Sequence, residues 1–135
     1  MANIVIDACG LIAFIRREQG GDSVRSLLSD DHHECYVHSI NLCEVYYDVL
    51  RAENEHVAHQ TIDDLLALDL VVSDAMDSGL WQAAGRIKAV YRRISLADCF
   101  GIALTQRLNA TFVTADHHEL DPLVAVGAVK VQFIR

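Results

Sequence analysis

The sequence has little of several features that would mark a special class of protein. Its 135 residues include one proline and seven glycines, which excludes a low-complexity or disordered chain. No apolar run approaches the roughly 18 residues of a membrane-spanning helix. The N-terminus has no basic stretch ahead of an apolar one, so no signal peptide is predicted. We therefore expect one domain over residues 1–135 and a cytoplasmic location without membrane contact.

Basic residues are also scarce, because 11 Lys and Arg face 19 Asp and Glu, which gives a net charge of −8. An acidic domain binds phosphate backbones poorly through its overall charge, so a nucleic-acid substrate would need metal ions or a local basic strip. The adjacent basic pairs are Arg16-Arg17 and Arg92-Arg93. We interpret both pairs as solvated helix ends.

Cysteine usage does not indicate a disulfide framework or a zinc site. None of the four cysteines forms a C-x-x-C pair, and an intracellular chain keeps its thiols reduced. Free thiols packed as small apolar side chains are expected at all four positions: Cys9, Cys35, Cys43 and Cys99.

Short apolar strands alternate with amphipathic helices along the chain. Strands are predicted at residues 4–6, 35–37, 70–72, 111–114 and 129–133. The predicted helices cover residues 11–17, 22–29, 41–51, 55–68, 75–91 and 96–108, and Ser39 or Asn41 is expected to cap the third. The alternation predicts an α/β fold with a mainly parallel sheet and helices on both faces.

Four acidic residues occupy positions that this fold would bring together. Asp7 and Asp116 each follow an apolar strand, and Glu44 and Asp98 each lie in the first turn of a helix. In open parallel sheets, ligands bind outside the carboxyl ends of the strands, where the following helices begin. We therefore expect these four carboxylates to converge on one cleft.

Converging carboxylates repel one another, and a divalent cation removes that repulsion. An all-oxygen ligand set selects hard cations, Mg²⁺ or Mn²⁺. Such ions generate a nucleophilic hydroxide and stabilise in-line phosphoryl transfer, so the pattern favours phosphodiester hydrolysis.

Each acid also has a purely structural interpretation. Asp98 follows Ser95 by three residues, which fits a capping box, and Glu44 stands in the same relation to Asn41. Asp7 and Asp116 fit ordinary strand-end turns. The functional interpretation depends on the coincidence of all four, and on Asp98 interrupting an otherwise apolar helix.

Four segments in order resemble the motifs of PIN domains. The sequence from Ile4 to Ala13 resembles the opening strand with its aspartate, and Ser39-x-Asn41-Leu42-x-Glu44-Val45 is similar to the second motif. Residues 95–104 (SLADCFGIAL) are similar to the third motif, and residues 112–116 (FVTAD) to the fourth. The resemblance covers nearly the whole chain and is strongest to the VapC-type toxins, the ribonuclease half of bacterial toxin–antitoxin pairs.

The resemblance implies a three-layer α/β/α sandwich and an endoribonuclease that depends on Mg²⁺ or Mn²⁺. It also implies a homodimer that a cognate antitoxin protein neutralises. On this chain the metal-binding and catalytic acids would be Asp7, Glu44, Asp98 and Asp116. Thr114 would orient a carboxylate or a metal-bound water, and Glu119 is a supporting candidate.

The chain departs from the family pattern in three places. Cys9 and Gly10 stand where a serine or threonine is common, which puts that hydroxyl contact in doubt. His117 and His118 follow the fourth aspartate, where we expect a solvent-facing loop pair rather than an RNA contact. Cysteines adjacent to Asp7, Glu44 and Asp98 are interpreted as packing residues, since a helical neighbour points about 100° away.

Two other functional classes remain open. A non-catalytic PIN-fold protein would bind a partner through an apolar groove, for which Leu80, Ile87, Val90 and Tyr91, with Trp81 alongside, offer candidate side chains. A phosphoryl-accepting signalling domain would need a lysine at the carboxyl end of the last strand. Lys130 lies at the start of that predicted strand, which argues against this class.

Overall fold

A five-stranded sheet forms the centre of the computed structural model, which describes residues 2–135 except for the side chain of His118. The prediction that the His118 side chain faces solvent therefore lies outside the described residues. The strands are β1 (Ala2–Ile6), β2 (His33–His38), β3 (Val71–Ser73), β4 (Thr111–Thr114) and β5 (Lys130–Phe133). They lie in the order β3-β2-β1-β4-β5, and every pairing is parallel.

Seven helices are found among the described residues and complete a three-layer α/β/α sandwich. They are α1 (Ala8–Ile15), α2 (Gly21–Ser29), α3 (Ser39–Ala52), α4 (Glu55–Leu66), α5 (Ser78–Val90), α6 (Leu96–Arg107) and α7 (His117–Ala125). The fold predicted from the alternation of strands and helices is confirmed. None of these helices is both long enough and apolar enough to cross a membrane.

The sheet has an apolar core on each face. Along β1, Ile4 and Ile6 face one core and Val5 the other, as the alternation of side chains in a strand requires. The first core includes residues of α1, α2 and α4, and the second includes residues of α5, α6 and α7. Helix α6 is buried from Asp98 to Thr105, as its nearly all-apolar sequence predicts.

Several local predictions need correction. His38 caps α3, since its Nδ1 accepts the Ile40 N–H at 3.1 Å, so the expected cap at Ser39 or Asn41 is wrong. Helix α5 begins later than the predicted residue 75, because Asp77 is its N-cap. His117 lies in α7 rather than in a loop, because Asp116 caps that helix and accepts the Glu119 N–H at 3.4 Å.

The apolar side chains of α5 do not form one groove. Leu80 and Ile87 are buried in the second core, whereas Trp81 and Val90 are exposed. The start of β5 at Lys130 places that lysine at the amino end of the strand, opposite the edge where β1 ends at Ile6 and β4 at Thr114. The signalling-domain alternative therefore lacks its lysine.

Candidate metal centre

Asp7 is fixed at the buried end of β1. Its Oδ1 accepts the Gly10 N–H at 2.8 Å, and its Oδ2 accepts the Thr114 hydroxyl at 2.5 Å. The same hydroxyl oxygen accepts the Asp116 N–H at 3.1 Å. A Cβ at position 10 would lie 2.9 Å from Cγ2 of Ile6, so glycine lets α1 begin close to the strand. Thr114 thus supplies the hydroxyl that residues 9 and 10 do not.

Glu44 enters the site from α3 and is held by a buried amide. Asn41 Nδ2 donates to Glu44 Oε1 at 3.3 Å and to the Ala97 carbonyl at 3.1 Å. The Asn41 side chain is fully buried, and its Oδ1 has no hydrogen-bond partner among the described residues. A Cβ at Gly101 would come within 2.7 Å of that oxygen. One amide therefore ties the helix of Glu44 to the residue that precedes Asp98.

Asp98 lies in the first turn of α6 and is 7% exposed. The expected cap is present, because Ser95 Oγ accepts the Asp98 N–H at 3.1 Å. The reciprocal half of a capping box is missing. Among the described residues no hydrogen-bond donor is found for the Asp98 carboxylate. The capping-box interpretation therefore does not account for the carboxylate.

Asp116 and Glu119 complete the cluster from the start of α7. Asp98, Asp116 and Glu119 each offer one carboxylate oxygen, and these three atoms lie within 4.8 Å of one another. Asp7 and Glu44 lie close enough for their charges to act on Asp98. The structure thus brings the four predicted acids together, and places Glu119 in the tightest group instead of at its margin.

Burial and mutual repulsion disfavour ionisation of Asp7, Glu44, Asp98 and Glu119. Burial raises the pKa of Asp98 to about 8, and the charges of Asp7, Glu44 and other acids add to the shift. Burial raises the pKa of Asp7 to about 7, although hydrogen bonds from Thr114 and Gly10 lower it. The pKa values of Glu44 and Glu119 are also raised, chiefly by burial.

A divalent cation fits this donor set. Asp98 is a largely buried residue whose carboxylate has no hydrogen-bond donor among the described residues, and two further carboxylate oxygens lie within reach of one ion. Oxygen ligands of this kind suit Mg²⁺ and Mn²⁺. A bound cation would also reverse the electrostatic cost of ionising Asp7 and Asp98.

The cysteines are only partly as predicted. All four are free thiols, and Cys35 and Cys99 are buried in the core. Cys9 and Cys43 are exposed, so the prediction that they act as packing residues is wrong. Although the residue as a whole is exposed, partial desolvation of the Cys9 thiol by neighbouring protein atoms and the charges of Asp7 and Asp98 raise its pKa to about 12, which keeps it protonated. A protonated thiol is a poor metal ligand, so the oxygen set remains the relevant one.

Sequence reasoning missed Asn41 as a residue of the site, because an asparagine before a helix is usually a cap. It also ranked Glu119 too low. The pattern Asp116-x-x-Glu119 is an N-terminal capping signal, and it could have revealed both helix α7 and the orientation of Glu119.

The chain belongs to the PIN domain family, since the PIN domain model matches residues 4–121. No match is found among curated proteins.

Several solved structures of similar fold come from toxin–antitoxin systems, at low sequence identity. The chain is similar to one from VapBC2 of Rickettsia felis bound to promoter DNA, with a TM-score of 0.74 and 15% identity over 97% of this chain and 98% of that one. VapC20 of Mycobacterium tuberculosis, a toxin that cleaves the sarcin-ricin loop, has a TM-score of 0.71 and 13% identity, covering 88% and 94%. A chain of FitAcB from Neisseria gonorrhoeae has a TM-score of 0.66 and 18% identity, covering 97% of each. At these identities the likeness establishes the shared fold.

Proposed function

We propose that the protein is a metal-dependent endoribonuclease of the VapC toxin type, which hydrolyses RNA phosphodiester bonds in the cytoplasm. The observation that carries the proposal is the carboxylate cluster at the carboxyl ends of β1 and β4, in which Asp98 is buried and Asp116 and Glu119 are half-buried. The PIN family match and the toxin structures of similar fold support the same class.

Asp98, Asp116 and Glu119 would hold the cation, with Asp7 and Glu44 completing its surroundings. A bound Mg²⁺ or Mn²⁺ supplies an activated water and charge stabilisation for phosphoryl transfer. Thr114 fixes the rotamer of Asp7 through the 2.5 Å hydrogen bond. Asn41 sets the position of Glu44 relative to α6. Rigid ligands of this kind hold the reacting phosphate and the water in line.

The test is cleavage of a mixed cellular RNA pool by the purified protein in Mg²⁺, Mn²⁺ or EDTA. Cleavage should require metal and should fall at least about 100-fold in Asp98→Asn, because a ligand of the cation is lost. Asp77→Asn is the matched control, since it changes an aspartate at another helix start and should retain activity. Equal activity of the Asp98→Asn variant, or cleavage in EDTA, would contradict the proposal.

We also propose that a cognate antitoxin protein binds a groove between α1, α2 and α4. The groove has a volume of about 850 Å³ and is lined by apolar side chains that include Phe14, Leu28 and Leu68. Arg17 and Asp64 supply charge beside them. None of the clustered acids lines this groove. An antitoxin segment bound here would not cover the cation site, so a further segment of the antitoxin would have to block that site.

Leu68→Glu, on an exposed rim position, should weaken capture of a candidate antitoxin in a pull-down assay. Val126→Glu is the matched control, because Val126 is also exposed but lies beyond α7. Equal loss of capture in both variants would argue against the groove. If the antitoxin binds and no RNA is cut in any metal, the non-catalytic partner-binding alternative becomes the better account.

We further propose a homodimer that uses the edge strand β3. Val71 and Val72 of this strand and the nearby Met76 are exposed, which is unusual for a sheet edge in a monomer. Analytical ultracentrifugation should show a dimer that Val72→Lys shifts toward monomer. A wild-type monomer at high concentration would contradict this part of the proposal.

A further inference from the structure

The loop between α5 and α6 carries an adjacent pair of arginines shortly before the helix that bears Asp98. Arg92 and Arg93 are both exposed, and they lie two to three residues before Ser95. Ser95 caps α6 by accepting the Asp98 N–H at 3.1 Å. The loop is thus joined at its end to the first turn of α6, which holds one acid of the cluster.

Lys88 on α5 holds this loop in place. Its Nζ donates to the Arg92 carbonyl at 2.8 Å and to the Ile94 carbonyl at 2.7 Å. Ile94 is fully buried in the second core and its N–H bonds to the Tyr91 carbonyl at 3.1 Å. The loop backbone is therefore fixed from both sides, while the two guanidinium groups point to solvent.

The charges of these arginines are not neutralised within the protein. In the part of the chain that the structure describes, neither guanidinium pairs with a carboxylate. Arg16 and Arg107, by contrast, pair with Asp48 and Asp77 at 2.5 and 2.6 Å. In a chain of net charge −8, two unpaired cations on a fixed loop next to the acid cluster form a local basic strip.

A local basic strip is what an acidic nuclease requires to hold a polyanion. Contacts to phosphates set the position of a nucleic acid, and Arg supplies the commonest of them. Val90 and Leu96 flank the pair and are 70% and 54% exposed, which adds apolar surface for ribose and base faces. The sequence interpretation of Arg92-Arg93 as a plain solvated helix end does not account for the anchoring by Lys88.

We propose that Arg92 and Arg93, on the loop anchored by Lys88, form a phosphate-binding rim that positions the RNA strand beside the acid cluster. This inference rests on the proposed ribonuclease function. It adds the side of the acid cluster from which the RNA strand enters. The rim makes no contact with the cation, so it acts on RNA binding and not on the chemical step.

The test measures binding of a fluorescein-labelled single-stranded RNA by anisotropy over a range of salt, in an Asp98→Asn background that leaves the strand uncut. Arg92→Gln/Arg93→Gln should reduce the slope of log affinity against log salt by about 1.4, since each contact with a single strand contributes about 0.7. Arg92→Lys/Arg93→Lys keeps both charges and should retain most of the slope.

The matched control is Arg25→Gln/Lys130→Gln, which removes the same two charges from α2 and from the amino end of β5. Its slope should equal that of the parent. If both double variants change the slope equally, only net charge matters and the inference is wrong. RNA binding that is unaffected by the Arg92/Arg93 change also overturns the inference, while leaving the nuclease proposal intact. Absence of both cleavage by wild type and binding by the parent would overturn both.

Discussion

Each end of the α5–α6 helix pair has an aspartate at a helix N-terminus, but the two carboxylates have opposite surroundings. At one end Asp77 caps α5 and makes a bidentate pair with Arg107 of α6, with distances of 2.6 and 2.8 Å. This pairing lowers the pKa of Asp77. At the other end Asp98 lies in the first turn of α6, buried and without a partner cation, and its pKa is raised to about 8.

Both aspartates lie at helix N-termini, where the helix dipole favours a negative charge. The difference between them is therefore due to burial and to the neighbouring acids. The exposed carboxylate of Asp77 is paired with Arg107, so it stabilises the fold and is not available to bind a cation. A buried carboxylate surrounded by like charges costs stability, and that cost is recovered when a cation binds.

Of the tests of this comparison, removal of the cation should change the thermal stability of the protein most. At pH 8, Mn²⁺ at 100 times its Kd should stabilise the protein by about 2.7 kcal/mol, which corresponds to an increase in Tm on the order of 10 °C. Differential scanning fluorimetry with Mn²⁺ and with EDTA measures the shift. Asp77→Asn should retain the full shift, and Asp98→Asn should lose most of it. A wild-type Tm that does not respond to Mn²⁺ or Mg²⁺ would argue against a metal centre.

Asp98→Asn should stabilise the metal-free protein at pH 8, with a Tm higher by on the order of 5 °C. The folded state retains the protons of Asp98 and Asp7 up to about pH 8 and 7, whereas an unfolded aspartate has its ordinary pKa of 3.8 and releases its proton near that pH. The unfolded state therefore binds fewer protons between these values, and stability falls as the pH rises from about 4 to 8.

Melting curves of the metal-free wild type and variant at several pH values provide the measurement. The two proteins should differ little at pH 4, where Asp98 is protonated in the folded state, and the gap should grow toward pH 8. A variant that is less stable than wild type at pH 8 in EDTA would show that Asp98 has a stabilising partner after all.

Asp77→Ala should have the smallest effect on the Tm, and its sign should be opposite to that of Asp98→Asn. It removes the cap of α5 and leaves Arg107 unpaired, so it should lower the Tm in EDTA at neutral pH. Because the folded-state pKa of Asp77 is lowered, its contribution is present above its unfolded pKa and is lost as the pH falls. Urea titrations at pH 7 and pH 3 should show the difference from wild type shrinking at the lower pH.

Much of this arrangement was predictable from the sequence, because it depends on local rules. Asp7 follows a strand of three consecutive apolar residues, and parallel strands end at one edge, so its place beside Asp116 follows from fold class. The cap at Ser95 was also predictable from its spacing. Helix α7, which orients Glu119, was not predicted, because His117 and His118 were interpreted as a loop pair. Pro122 inside α7 is itself a residue that disfavours a helix interior.

Contacts between residues far apart in the sequence were harder to predict. The amide of Asn41 reaches the carbonyl of Ala97, 56 positions away in sequence, and no spacing rule predicts that pairing. The same holds for the bond from Thr114 to Asp7, which was expected only from the family resemblance. The extent of the single domain over residues 1–135 stays a prediction.

The central place of β1 in the sheet has a consequence for the timing of synthesis. Its neighbour β4 begins at Thr111, so the hydroxyl of Thr114 emerges from the ribosome 107 residues after Asp7, and Asp116 and Glu119 emerge later still. Chains are made at about 5–20 residues per second and fold as whole units. The acid cluster therefore closes only after Glu119 has been added, and a shorter nascent chain has no assembled cation site.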